Sequence, residues 1–206
     1  MGMCALAILC DAQVRLTVKS KGAVVGSVET SQRLTQDGGR RVELRFSLGK
    51  DNAVTVHTTS TFDANGNPIR KVQETVTAKH DQLVVIATFD PSGANLVIND
   101  GSARKTKKVP LDAGSARAEI AGFWLLRDKP EKGASVKHFA FNMDSQAWDE
   151  TATTYEGSTS IEIAGKTRTA HLVRSVSRGK TTLSYLDDKG EPLRIEAGAF
   201  LLERAP

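Results

Sequence analysis

Alternation dominates the pattern of apolar and polar positions. From Arg41 to Leu48, Val42, Leu44, Phe46 and Leu48 share one face, while Arg41, Glu43, Arg45 and Ser47 share the other. That period of two is the signature of a half-buried strand. Val14, Leu16 and Val18 alternate with Arg15, Thr17 and Lys19. Phe139, Phe141 and Met143 alternate with Ala140 and Asn142, and Ile161 and Ile163 bracket Glu162. Leu83 to Phe89 is a short apolar run, which predicts a strand covered on both faces. Turn signals separate these runs: Asp37-Gly38-Gly39, Asn65-Gly66-Asn67-Pro68, Asn99-Asp100-Gly101, Arg178-Gly179 and Lys189-Gly190-Glu191-Pro192. Their spacing predicts about ten or more antiparallel strands.

One segment breaks the rhythm. Between Leu111 and Leu126, the positions Ala113, Ala116, Ile120, Phe123 and Trp124 recur at spacings of three and four, and Arg127 extends the series. This predicts the one substantial helix, capped by Asp112 or Ser115 and stopped before Pro130. A second irregularity is an internal echo. Phe62-Asp63-Ala64-Asn65-Gly66-Asn67-Pro68-Ile69-Arg70 matches Leu186-Asp187-Asp188-Lys189-Gly190-Glu191-Pro192-Leu193-Arg194 in pattern. A calcium loop needs more oxygen ligands than this pattern carries. A hairpin turn needs only what is there: aspartate for the turn backbone, glycine for positive φ, and proline to start the returning strand.

Composition changes the picture little. The chain has 206 residues, of which 39% are hydrophobic and 25% charged, so it can build a packed core as one β domain. The net charge of +4 comes from interspersed signs, apart from the run Arg104, Lys105, Lys107 and Lys108. With no aromatic interleaved to stack on bases, that run reads as a solvated strand edge rather than a nucleic-acid surface. Met1 to Cys10 is almost wholly apolar, and Cys10-Asp11-Ala12 places small residues where a signal peptidase expects them. Residues 1–12 are therefore expected to be a truncated signal peptide lacking its basic start, and 13–206 a single β domain. Leu9 is too large for a residue preceding a lipidated cysteine. Both cysteines, Cys4 and Cys10, fall in this segment, so the remaining chain offers no disulfide, thiolate nucleophile or sulfur-ligated metal.

Candidate chemistry is sparse. His57, His80, His138 and His171 form no local metal-binding spacing, and no G-x-S-x-G elbow is present. Gly165-Lys166-Thr167 and Gly179-Lys180-Thr181 imitate a phosphate loop, but Ser160 and Arg174 stand where its first glycine belongs. Asp149-Glu150 follows Trp148; the pair either lines a sugar site or is a turn entering the strand from Thr151 to Tyr155. No cofactor and no metal is expected.

The second half of the chain carries a resemblance. Leu111-Asp112 leads into Phe123-Trp124-Leu125-Leu126-Arg127 and Lys132-Gly133. The strand Val136 to Met143 follows, then Ile161-Glu162-Ile163-Ala164-Gly165-Lys166-Thr167, Leu183 to Arg194, Gly198 and Leu201-Leu202-Glu203. In the first half, Val14 to Val28, with Lys21-Gly22 and Val25-Gly26, fits as opening strands. This order resembles an exported bacterial family of unknown function whose members are compared with the LolA/LolB lipoprotein-carrier fold. The resemblance implies a mainly β fold: a single strongly curved antiparallel sheet, or half-barrel, with the mid-chain helix packed on its concave face. It also implies a periplasmic or extracellular location. Phe123, Trp124, Phe139 and Phe141 then either line a cleft for an apolar ligand or fill the core, and periodicity does not separate the two.

Three functional readings follow. The first is a non-enzymatic periplasmic or cell-surface protein holding a lipid or other apolar small molecule. The second is an envelope module whose partner is another envelope protein. The third is a carbohydrate-active or hydrolytic enzyme using Asp149, Glu150 or a histidine. None involves nucleic acid, and no segment beyond the N-terminus is apolar enough to span a bilayer.

Overall fold

The computed structural model describes residues 12–49, 53–79, 81–112, 114–117 and 121–205. Cys4, Cys10, His80 and all of the apolar N-terminal segment up to Asp11 lie outside the described residues. The first meander runs through β1 (Ala12–Ser20), β2 (Ala23–Leu34), β3 (Arg40–Leu48), β4 (Val54–Phe62), β5 (Pro68–Thr77), β6 (Gln82–Asp90), β7 (Gly93–Asn99) and β8 (Arg104–Pro110). A short helix α1 (Ala121–Asp128) follows. The second meander then contains β9 (Ser135–Asn142), β10 (Ala147–Ile163), β11 (Lys166–Ser177), β12 (Lys180–Leu186), β13 (Pro192–Ala197) and β14 (Phe200–Arg204).

These strands form one 14-stranded sheet in the order β8-β7-β6-β5-β4-β3-β2-β1-β14-β13-β12-β11-β10-β9. All pairings are antiparallel, and all but one join strands that are neighbours in the chain. The exception is the seam where Leu16 pairs with Arg204 and Val18 with Leu202. β8 and β9 are left as free edges, so the sheet is not closed into a barrel.

Register defines the inner face. Val14 on β1 is followed through cross-strand partners by Thr30, Leu44, Thr58, Gln73, Val85 and Ile98. In the other direction Val18 leads through Leu202, Ile195, Ser184 and Val173 to Tyr155. Its centre is apolar: Val14, Leu16, Val18 and Val28 are buried together. α1 lies on this same face, with Trp124 and Leu125 buried against Tyr155, Val173 and Leu186. The expected curved antiparallel sheet with one helix on its concave side is the observed fold.

The curvature carries the two ends past one another. On β9 and β10, Ala140 and Asp149 share the inner face, so Phe141 and its partner Trp148 point the other way. Phe141 and Met143 nevertheless pack on Val85, Ala87, Ala94 and Leu96 of β6 and β7, which belong to the inner face. The outward side of the β9 end is therefore laid on the inward side of the β8 end, as in a scroll.

Three expectations change in detail. The helix begins at Ala121, well after Leu111. The Leu111 N–H donates to Ser92 O (3.1 Å), the Phe139 N–H donates to Ala116 O (2.8 Å), and Arg117 forms a parallel bridge with Phe139. Gly114 sits at φ +86°, where no α-helix passes. Asp112 and Ser115 thus shape a turn rather than a cap, while residues 113 and 118–120 lie outside the described residues. The helix ends as expected before Pro130, with Lys129 at φ +43° in the left-handed conformation common just past a helix. Finally, β6 is covered on one face only: Val85 and Ala87 are buried, whereas on the other face Val84 and Ile86 are half-buried and Thr88 is exposed.

The echoed sequences are two copies of one turn. Asp63 Oδ1 accepts from the N–H groups of Asn65 (2.9 Å) and Asn67 (2.8 Å). Asp187 Oδ1 accepts from those of Lys189 and Glu191 (both 3.0 Å). Gly66 and Gly190 have φ of +85° and +72°, and Pro68 and Pro192 open β5 and β13. The turn reading holds.

Candidate functional site

Where the β9 end stands off from the inner wall, a pocket of about 300 Å³ remains. Val42, Leu44, Thr58 and Ser60 come from β3 and β4, because alternation in those strands turns them inward. Phe62, Pro68, Phe89, Ala140 and Phe141 complete the apolar lining, and Arg70 and Lys71 supply the charge. One wall is held by a cluster of three rings. Phe141 lies edge-on to Phe89 and Trp148 at centroid distances of 5.6 and 5.1 Å, and Phe89 sits 5.6 Å from Trp148. The Trp148 indole N–H donates to Val109 O (3.3 Å), fixing the cluster against β8.

Lys71 shares the inner face with its register partners Ser60 and Ala87. Its Nζ donates to Phe141 O at 3.5 Å, the long limit of a hydrogen bond. Burial pushes its ammonium below the usual lysine range, and the charge of Asp144 opposes that shift. Asp144 itself accepts from Gln73 Nε2 (2.8 Å).

A second pocket, about 190 Å³, lies beside α1 and is lined by Ala116, Arg117, Trp124, Arg127, Asp128, Val136, His138 and Thr153. It is bounded by anchored charges. Arg127 Nη1 donates to Asn65 O (2.9 Å) and its Nε to Asp128 Oδ1 (2.6 Å), and the Arg117 guanidinium donates to Asp90 O. His138 is held below its ordinary value by burial.

The four aromatic residues anticipated from sequence are distributed, not gathered. Trp124 is buried and borders the pocket beside α1, whereas Phe141 is buried and borders the larger one. Phe139 is half-buried on the same face of β9 as Phe141, opposite Glu150. Phe123 belongs to α1, but its side chain lies outside the described residues. Pattern reading missed Lys71 for a definite reason. In β5, Val72 and Val76 invite the inward assignment, yet the register turns Lys71 and Gln73 inward.

The residues considered for catalysis are engaged as follows. Asp149 is buried against the Arg178 guanidinium and accepts from Asn142 Nδ2 (3.1 Å). Glu150 points to the opposite face and pairs with Lys137 at 3.7 Å. The two carboxylates do not converge. His171 Nδ1 meets Tyr155 Oη at 2.9 Å, and its Nε2 meets Asp188 Oδ1 at 3.1 Å. This Tyr-His-Asp chain borders neither pocket, and the Asp188 side chain is 97% exposed. Ser158 Oγ reaches Tyr155 Oη (3.4 Å), not the imidazole. His57 is exposed on the outer face of β4 opposite Glu74. Among the described residues, no group of three or more His, Cys, Asp or Glu side chains could hold a metal ion, and no helix is long and apolar enough to cross a membrane.

Neither a protein-family model nor a curated protein matches the sequence. The fold does have a counterpart. The chain is similar to the crystal structure of a beta-barrel-like protein of domain of unknown function DUF1849 from Brucella abortus. The two share 14% sequence identity at a TM-score of 0.57, over 94% of this chain and 95% of that one. The shared fold is that of a bacterial beta-barrel-like protein of unknown function.

Proposed function

We propose that this chain is a non-enzymatic protein of the bacterial periplasm or cell surface that holds a lipid or another apolar molecule inside its half-barrel. The observation that carries the reading is the pocket of about 300 Å³ between the inner wall of β3 to β5 and the tucked β9 end. It has the small end of the size range of ligand sites and the composition typical of them, apolar walls with a few polar groups. Phe141 serves as both core and wall, so cleft and core are two sides of one ring. Export is supported by the apolar run Met1 to Cys10 ahead of Ala12-Gln13.

Native mass spectrometry of the protein purified from a bacterial envelope tests the binding reading. A co-purifying apolar adduct released by organic solvent is expected. A ligand-free spectrum, together with no uptake of added decanol, would sink the idea. N-terminal sequencing of the same material tests export: a chain starting at Gln13 is expected, and one retaining Met1 in the soluble cell interior contradicts it. The alternative of a protein-interaction module draws on β8, an unpaired edge carrying Arg104, Lys105, Lys107 and Lys108, all exposed.

A further inference from the structure

The pocket under β9 has one sign of charge. Its lining contains Arg70 and Lys71 and no acidic residue. Arg70 is exposed and sits at the rim, whereas Lys71 is half-buried on the inner face. Among the described residues no carboxylate lies within ion-pair distance of Lys71; its one hydrogen bond is the 3.5 Å contact to the Phe141 carbonyl. An ammonium has three donors, so most of its hydrogen-bonding capacity is unfilled by the protein. Asp144 acts on it through its charge, but that carboxylate is exposed, held by Gln73, and does not line the pocket, so on the pocket side the ammonium has no ion pair. Two hydroxyls stand near it on the same wall: Ser60 is its register partner, and Thr58 is the next inward residue of β4. The rest of the wall is Val42, Leu44, Phe62, Phe89 and Phe141.

We infer that the ligand of this pocket is a single-chain amphiphile with an anionic head, its negative group paired with the Lys71 ammonium and its hydrocarbon tail laid on the apolar wall. The inference rests on the apolar-ligand reading above and adds the charge of the ligand to it. The ligand's head supplies a counter-ion inside the pocket, where the lining has none, and Ser60 and Thr58 add hydroxyl donors to the same group. The pocket volume of about 300 Å³ is at the small end of ligand sites, which suits one short hydrocarbon chain rather than two. A carboxylate and a phosphate head satisfy the geometry equally, and a cationic head is excluded by like charge.

Calorimetric titration of the whole chain with decanoate, decyl phosphate, decanol and decyltrimethylammonium tests this. The wild type is expected to bind one or both anions at least roughly tenfold more tightly than decanol, and the cation not at all. Lys71→Met should lower anion affinity by roughly 10- to 100-fold while leaving decanol within about twofold, and Lys71→Arg should keep the preference. Whichever anion gains more from Lys71 identifies the head group. Equal binding of decanoate, decyl phosphate and decanol, or an anion preference that survives Lys71→Met, overturns the inference and leaves the apolar pocket intact. Failure of all four probes overturns the apolar-ligand reading itself. Should Lys71→Met not fold, as judged by its melting curve, Lys71→Gln removes the same charge and is read the same way.

Discussion

The two free edges of the sheet are protected by opposite means. β8 is exposed along most of its length and carries four cations, Arg104, Lys105, Lys107 and Lys108. β9 is neither charged to the same degree nor left outside. Its Phe141 is 7% exposed and the following Met143 3%, both sunk into the cluster formed by β6 and β7. An unpaired strand invites pairing with another chain, and charge and burial are two known ways to prevent it. Here β8 uses charge, and β9 uses burial together with the short bridge from Ala116 and Arg117 to Phe139. The difference explains why the sheet remains open: the β9 end is used as a core element, and its aromatic side occupies the interior that closure against β8 would otherwise have to fill.

Removing the buried end's anchor should have the largest effect. Phe141→Ala deletes a ring packed on Phe89, Trp148 and the β6–β7 wall, and a loss of about 3–5 kcal/mol in urea unfolding is expected. Lys107→Ala on the exposed edge should change stability by no more than about 0.5 kcal/mol. Equal losses at the two edges would remove the contrast. A smaller effect is expected at Arg178, whose half-exposed guanidinium partners the buried Asp149. Arg178→Ala should cost about 1–3 kcal/mol, toward the lower end because water reaches the cation.

For the outer edge, the measurement is association rather than unfolding. Replacing Lys105 and Lys107 together with valine should leave the melting temperature nearly unchanged but produce concentration-dependent light scattering. A variant that stays monomeric would show that charge is not what keeps β8 free. The smallest effect belongs to the turn after β6. Hydrogen bonds from the Ser92 hydroxyl and N–H and from Asn95 Nδ2 pull Asp90 from 3.8 down to about 2. A depressed carboxylate pKa stabilises the fold above the unfolded value and is lost on acidification. The advantage of wild type over Asp90→Ala, followed by melting temperature, should therefore be present at neutral pH. It should shrink as pH falls from 3.8 through about 2.

Much of this architecture is legible in the sequence because two local rules act without interference. In β3, Val42, Leu44 and Phe46 alternate with charged residues, and the register confirms the faces. In the turns, Asp63 and Asp187 bind backbone N–H groups two and four residues ahead, an interaction that needs no tertiary partner. What escaped depends on distant parts of the chain. The segment that begins at Leu111 has helical spacing, but Leu111 is tied to Ser92, Ala116 to Phe139, and a turn at Gly114 lies between them. In β6, Val84 and Ile86 are apolar on the less buried side, which hides the alternation. In β5 the valines face outward and Lys71 inward. The pocket was invisible for the same reason, since its walls come from β3 to β6 and β9 and meet only because the sheet overlaps itself.

The single seam between β1 and β14 bears on how the chain reaches this state. Every other strand pairs with its sequence neighbour, so each of the two meanders can zip up from its turns at small loop-closure cost. Leu16 and Arg204, by contrast, find each other across nearly the whole chain. The slow encounter in folding is thereby confined to one ladder, and it joins two halves that are already organised. A circular rearrangement that linked β14 to β1 and opened the chain between β8 and β9 would make every ladder local. The ladders of the same scroll would then assemble from edge to edge, leaving the packing of the β9 end on β6 and β7 as the contact between distant parts of the chain.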